Sequence, residues 1–101
     1  MYLNQKDMDK LYIYLVGLIA KDRKERGIKL NYVEAKGYLS AQLHELAREG
    51  KTVAELMEIG TKLLKEEDVM DGIADMVGNV QIEATFNDGT KLVSIHNPIR
   101  K

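Results

Sequence analysis

The stretch Val80-Gln81-Ile82-Glu83-Ala84-Thr85-Phe86-Asn87-Asp88-Gly89-Thr90-Lys91-Leu92-Val93-Ser94-Ile95-His96-Asn97-Pro98 decides the fold class. Val80, Ile82, Ala84 and Phe86 alternate with Gln81, Glu83, Thr85 and Asn87, the period of a half-buried strand. Asp88-Gly89 signals a tight reversal, because both residues tolerate positive φ. Leu92-Val93-Ser94-Ile95 is a second β-rich run, and it stops at Pro98, which cannot donate to a ladder. With Asp88-Gly89 as a two-residue loop, Ile82 faces Ile95 and Ala84 faces Val93, so one face is apolar. A three-residue loop starting at Asn87 would slip the register by one and mix the faces. Two strands alone are marginal in water, and a lone hairpin has two open edges. Helices of the same chain, or another subunit, must cover it.

Upstream of the hairpin the pattern is helical. Asn4 is an N-cap with Asp7 three residues on. Met8, Leu11, Tyr12, Leu15, Leu18 and Ile19 then follow helical spacing. Ile13, Val16 and Ala20 lie off that stripe, so the middle of this helix is apolar on nearly every side, which calls for cover on every side. Lys21-Asp22-Arg23-Lys24-Glu25-Arg26 reads as a solvated last turn whose cations complement the macrodipole, with Gly27 at C′ and Ile28 behind it. Asp22 and Glu25 interrupt the basic run, which weakens a nucleic-acid reading.

Asn31 and Glu34 have capping-box spacing for a second helix, with Ala35, Leu39, Leu43, Leu46 and Ala47 as its buried stripe and Tyr38 beside it. Thr52-Val53-Ala54-Glu55 is a full box for a third, with Leu56, Met57, Leu63 and Leu64 on the inner face and Gly60 interrupting its middle. Lys65 to Asp68 is a polar break. Val69-Met70 and Ile73 to Val77 suggest short helical turns, and Gly78-Asn79 a turn into the hairpin. The expected architecture is α+β: three main helices, short helical turns, then a C-terminal antiparallel hairpin, as one domain over residues 1–101.

Composition narrows function by exclusion. A net charge of −1 lacks the positive field that broad nucleic-acid or anionic-membrane binding needs. With no cysteine, thiol catalysis, zinc-thiolate sites and disulfides are out. The N-terminus has no signal-peptide pattern, and the longest uncharged run, Leu11 to Ala20, is too short to span a bilayer, so a cytoplasmic protein is expected. His44 and His96 have no companions at metal-binding or nucleophile–base spacing. Glu66-Glu67-Asp68 lacks the spacing of a calcium loop. Gly50-Lys51-Thr52 follows a helix and has Leu46 where a phosphate loop needs glycine, so it is a capping turn. No catalytic, cofactor-binding or metal-ligating residue is expected. These features describe a partner-bound, non-catalytic domain. Tyr32 and Tyr38, as aromatic anchors, and Phe86, Ile95, His96 and Pro98 of the closing segment are the candidate interface residues.

Several blocks carry a resemblance. Lys29-Leu30-Asn31-Tyr32-x-Glu34-Ala35, Gly50-Lys51-Thr52-Val53-Ala54-Glu55-Leu56-Met57, Glu67-Asp68-Val69-Met70-x-Gly72 and Glu83-Ala84-Thr85-Phe86-x-Asp88-Gly89-Thr90-Lys91-Leu92-Val93, closed by His96-Asn97-Pro98-Ile99, closely resemble the gamma subunit of bacterial urease, in one register along the chain. The family usually has proline where Val33 and Asn87 stand and near Ala74, so local rigidity is reduced there. The resemblance implies a structural role in an enzyme that hydrolyses urea to ammonia and carbamate. It implies two nickel ions in the large alpha subunit, bridged by a carbamylated lysine and held mainly by histidines, with none in this chain. It also implies assembly with beta and alpha subunits into a heterotrimer that forms a threefold unit. A reading from another class is an independent adaptor that captures a peptide along the hairpin edge.

Overall fold

In a computed structural model, which describes residues 2–100, the chain runs α1 (Gln5–Glu25), α2 (Tyr32–Arg48), α3 (Val53–Ile59), a 3₁₀ turn (Glu66–Asp68), α4 (Ile73–Val77), β1 (Asn79–Phe86) and β2 (Gly89–His96). This is the expected α+β order of helices followed by an antiparallel hairpin.

The three predicted helix starts are all closed by capping boxes. The side chains of Asn4, Asn31 and Thr52 accept from the N–H groups of Asp7, Glu34 and Glu55, whose carboxylates accept in return from the cap N–H groups. At the end of α1, the Ile28 N–H donates to the Arg23 carbonyl (2.9 Å) and the Gly27 N–H to that of Lys24 (3.0 Å). That is a Schellman closure, with Gly27 at φ +79°.

The packing of α1 differs from the simplest reading of its stripe. Gly17 and Ala20 are its buried residues, with Ile13 and Val16 half-buried beside them. The larger set at helical spacing, Leu11, Tyr12, Leu15, Leu18 and Ile19, is exposed. The cause is the closeness of α1 and α2. A Cβ built on Gly17 would lie 2.4 Å from the Ala41 Cβ, and one built on Gly37 would lie 2.4 Å from a Val16 methyl carbon. Only a face of small residues permits that approach.

The Arg23–Glu34 ion pair fastens the same contact, joining the last turn of α1 to the first turn of α2. Arg23 therefore departs from the expected fully solvated basic turn, although its side chain remains 44% exposed. The Glu34 carboxyl is held below the usual carboxylate range, first by the Asn31 N–H and then by Arg23, against the opposing effect of its own burial.

α2 is the central element. Ala35, Leu39, Leu43 and Ala47 are buried as expected, and Leu46 is half-buried. They carry the inner face of the hairpin, where Val80, Ile82, Ala84, Phe86, Val93 and Ile95 are all buried. The register departs from the expected one by two residues: Val80 pairs with Ile95, Ile82 with Val93 and Phe86 with Gly89. The loop is Asn87-Asp88, and only Gly89, at +121°, takes positive φ. This is the pattern of a type I reversal followed by glycine. An even shift preserves side-chain parity, so the apolar face survives. Leu92 falls on the outer face and is exposed.

Other departures are local. α3 stops at Ile59 with Gly60 as its C-cap, a position where a Cβ would meet the Ile95 Cδ1 at 2.3 Å and the Leu56 carbonyl at 2.9 Å; Leu63 and Leu64 lie beyond the helix, and Met57 is exposed. Val69 is extended rather than helical. It bridges Leu30, with Leu30 N–H to Asp68 carbonyl and Met70 N–H to Leu30 carbonyl both at 2.9 Å. Asn79 belongs to β1, opposite His96. Pro98 and Ile99 are buried, and Arg100 bridges Lys65.

Three outcomes follow. Gly17→Ala should destabilise the chain by about 1–3 kcal/mol in urea titrations, because overpacking against Ala41 outweighs the roughly 1 kcal/mol gain in helix propensity; an unchanged midpoint would refute the tight contact. Asn87→Pro should stabilise by about 0.4–1 kcal/mol, since proline suits the first loop position after an extended Phe86; a loss would contradict the assigned loop. Glu34→Gln keeps an acceptor for the cap but removes the charge. Because the folded carboxyl titrates below its unfolded value, its stabilisation is present above about pH 4.3 and is lost as pH falls through the lower folded value. The variant should therefore be less stable by about 1 kcal/mol at pH 7 and converge on the parent in strong acid; a gap that stays constant with pH would assign the effect to packing.

Candidate assembly surface

The sequence-derived candidates divide by burial. Tyr38, Phe86, Ile95 and Pro98 are buried within the chain's own fold. Tyr38 lies in the core beside Leu39, and its burial pushes its hydroxyl pKa up. Phe86 and Ile95 close the inner face of the hairpin. Tyr32 is half-buried at the start of α2, and His96 is exposed at the end of β2. The structure does not gather these six residues into one patch.

Tyr32 contributes instead to an apolar groove of about 340 Å³ between α1, α2 and the start of β1, with Tyr12, Val16, Val33 and Val80 among its walls. The Lys36 ammonium donates to the Tyr32 hydroxyl at 3.0 Å and stands 5.3 Å from the centre of its ring. This holds the tyrosine at the groove wall through a hydrogen bond and a cation–π contact.

Beside the groove, α1 presents the largest set of exposed apolar side chains on any one element. Leu11, Tyr12, Tyr14, Leu15, Leu18 and Ile19 range from 41% to 60% exposed. Single exposed apolar residues are ordinary, but a contiguous helical stripe is a feature of interaction surfaces. Its signal was present in the sequence as an all-round apolar helix. What the sequence hid was which side faces out, because periodicity favours the larger residues and the packing chose the smaller ones.

The hairpin offers a second exposed surface. Its outer face is polar, with Gln81, Glu83, Thr85 and Thr90 exposed around Leu92. Its only strand pairing among the described residues is β1 with β2. The α1 N-terminus reaches it through Lys6, whose ammonium meets the Glu83 carboxylate at 2.8 Å, an exposed pair of little energetic weight.

Among the described residues no three His, Cys, Asp or Glu side chains converge to hold a metal ion. His44 is half-buried between α1 and α2, and burial, then the nearby Lys10 charge, lowers its pKa. Among the described residues, no nucleophile is hydrogen-bonded to it. Glu66 and Glu67 line a shallow polar recess with Lys29, whose ammonium donates to the Glu67 carbonyl at 2.8 Å. No helix among the described residues is long and apolar enough to cross a membrane.

Comparison with known proteins supplies what the geometry leaves open. The family model for the gamma subunit of urease matches residues 1–99. A curated relative, urease subunit gamma of Actinobacillus pleuropneumoniae serotype 5b (strain L20), is 56% identical over 100 residues, covering 99% of this chain and all of the relative.

Proposed function

The chain belongs to the urease gamma-subunit family, and we propose that it acts as a structural, non-catalytic subunit of a nickel-dependent urease in the cytoplasm. The observation that carries this reading is the end-to-end match to a urease gamma subunit. Two physical features support it. The donor set of this chain does not fit a pair of nickel ions, since no three ligating side chains converge among the described residues. An exposed apolar stripe on α1 is what a subunit, rather than a solitary protein, retains.

In this reading the chemistry, hydrolysis of the linear amide C–N bond of urea to ammonia and carbamate, takes place on a partner. The nickel ions belong to the alpha subunit, and no step is assigned to residues of this chain. As one domain, it packs on alpha and, with beta, completes a heterotrimer that forms a threefold unit. Binding energy comes from desolvating apolar surface at the contact, and the folded scaffold lowers the ordering cost of association. The peptide-capturing adaptor is less favoured, because the family match spans the whole hairpin along with the helices.

Co-expression of the tagged chain with the other genes of its operon tests the proposal. The expected result is co-purification with two further chains and nickel-dependent ureolysis, and no ureolysis from the purified chain supplied with nickel alone. Recovery only as a free chain, with urease assembling normally in its absence, would overturn it.

A further inference from the structure

We propose that the N-terminal half of α1, residues 5–14, is an acid-released arm: when His44 of α2 takes up a proton, this half leaves the fold while the rest of α1 stays docked. The device belongs to the chain's own α1–α2 contact and does not need the urease reading.

The first observation is that α1 is docked unevenly. From Val16 onward the helix is clamped: Val16 meets Gly37, Gly17 meets Ala41, Ala20 is buried, and Arg23 pairs with Glu34. Among residues 5–14 none is buried, and only Met8 and Ile13 are half-buried. The side-chain tie of this half to the rest of the fold is Lys6 to Glu83 of β1, an exposed pair at 2.8 Å. A segment with few buried contacts has a low free energy of local opening. The clamp lies entirely on one side of it, so this half can open without the other.

The second observation is what stands in the seam. His44 is half-buried and faces the arm across a recess of about 170 Å³, walled by Lys10, Ile13 and Tyr14 of α1 and by Ala41 and Glu45 of its own helix. Among the described residues no group hydrogen-bonds its ring. The charges around it do not favour a proton. α1 presents the Lys10 cation, and Arg48 stands one turn further along α2. Glu45 is exposed, where water screens it, and Glu83 of the hairpin is already held by Lys6. An imidazolium would bring two N–H donors into this recess beside a second cation. Burial first, and then Lys10, accordingly hold the ring below its ordinary value of 6.5, with Glu45 opposing.

The direction of the pH dependence follows. With the arm detached, the ring meets water, Lys10 moves away, and the proton is taken up more readily. Docking is therefore fully stabilised above 6.5 and weakens as pH falls below it toward the lower value of the docked form. The carboxylates titrate in a different window. Glu34, chiefly through the Asn31 N–H, and Glu83, chiefly through Lys6, are both held below the usual carboxylate range, so the clamp and the Lys6 tie keep their charges while His44 titrates.

Amide exchange of the full-length chain, resolved by NMR and corrected for the intrinsic effect of pH, reads the two halves separately. Protection of residues 9–14, whose N–H groups bond within the helix, should fall at least about threefold between about pH 7.5 and about pH 5.5, with that of residues 18–25 unchanged. The His44 ring protons should titrate with a midpoint below 6.5. His44→Gln keeps a polar side chain that cannot charge, and its protection of residues 9–14 should be the same at both pH values. Lys10→Gln leaves the histidine in place and should raise the His44 midpoint and shrink the acid effect. Protection of residues 9–14 that does not change with pH in the parent, or that is already absent at the higher pH, would overturn the proposal. Equal loss in both halves would mean global acid unfolding, and loss that persists in His44→Gln would assign the effect to carboxylates; either result overturns it. Where His44→Gln fails to fold, Lys10→Gln decides, and an unmoved His44 midpoint overturns it.

Discussion

The close approach of α1 and α2 is the constraint on which the remaining surface depends. Gly17 against Ala41 and Gly37 against Val16 leave no room for larger side chains. A helix that presents its small residues inward must turn its large ones outward. The exposure of Leu11, Leu15 and Leu18 is thus the geometric counterpart of a tight internal contact. The Arg23–Glu34 pair fixes the same contact at the end nearest the α1–α2 connection, where a buried carboxylate needs both the capping N–H and a cation to offset its desolvation.

α2 then serves two neighbours with two surfaces. Gly37 and Ala41 meet α1, while Leu39, Leu43 and Ala47 contribute to the core under the hairpin. A two-stranded ribbon is marginal alone, and here its stability derives from the apolar face it lays on α2. Pro98 and Ile99 continue that burial beyond the last strand, and the bridge between Lys65 and Arg100 ties the C-terminal segment to the middle of the chain. The hairpin is therefore covered on one face by its own helices, and its outer face carries little apolar surface beyond Leu92.

Much of this was legible in the sequence, wherever a local rule had a single solution. The boxes at Asn4, Asn31 and Thr52 each specify a start through residues three apart, and all three form. The alternation from Val80 to Phe86 fixes which side chains are buried whatever the loop, so the hairpin face survived a two-residue error in register. That error arose because Asp88-Gly89 fits a tight turn by itself, whereas the chain places its negative-φ pair one residue earlier and reserves positive φ for Gly89. The outward side of α1 was not legible for a different reason. Hydrophobic periodicity locates a stripe but carries no information about whether a second, smaller-residue stripe packs more closely. Val69 illustrates the same limit, since its bridge to Leu30 spans a separation that no local pattern encodes. Of the interface candidates, Tyr38 is expected as an aromatic anchor and Phe86 and Ile95 as residues of the closing hairpin, but large apolar side chains are also what the chain's own core selects. Tyr38, Phe86 and Ile95 accordingly went inside.

This division of labour explains how such a small chain can be both a stable fold and an assembly part. About 100 residues can bury only some two-thirds of the surface their unfolded chain exposes, so apolar side chains used for assembly are withdrawn from the core. The chain limits that loss by building its α1–α2 contact from glycine and alanine, where a short interhelical distance and a buried-carboxylate ion pair replace bulk. The large side chains released in this way are concentrated on one helix, as a contiguous stripe on a rigid element. A partner that covers the stripe gains the full desolvation of leucine and tyrosine without any rearrangement of the hairpin or of α2. Folding and the exposed apolar stripe are thereby assigned to opposite faces of the same helix, and the small residues of α1 are what keep the two apart.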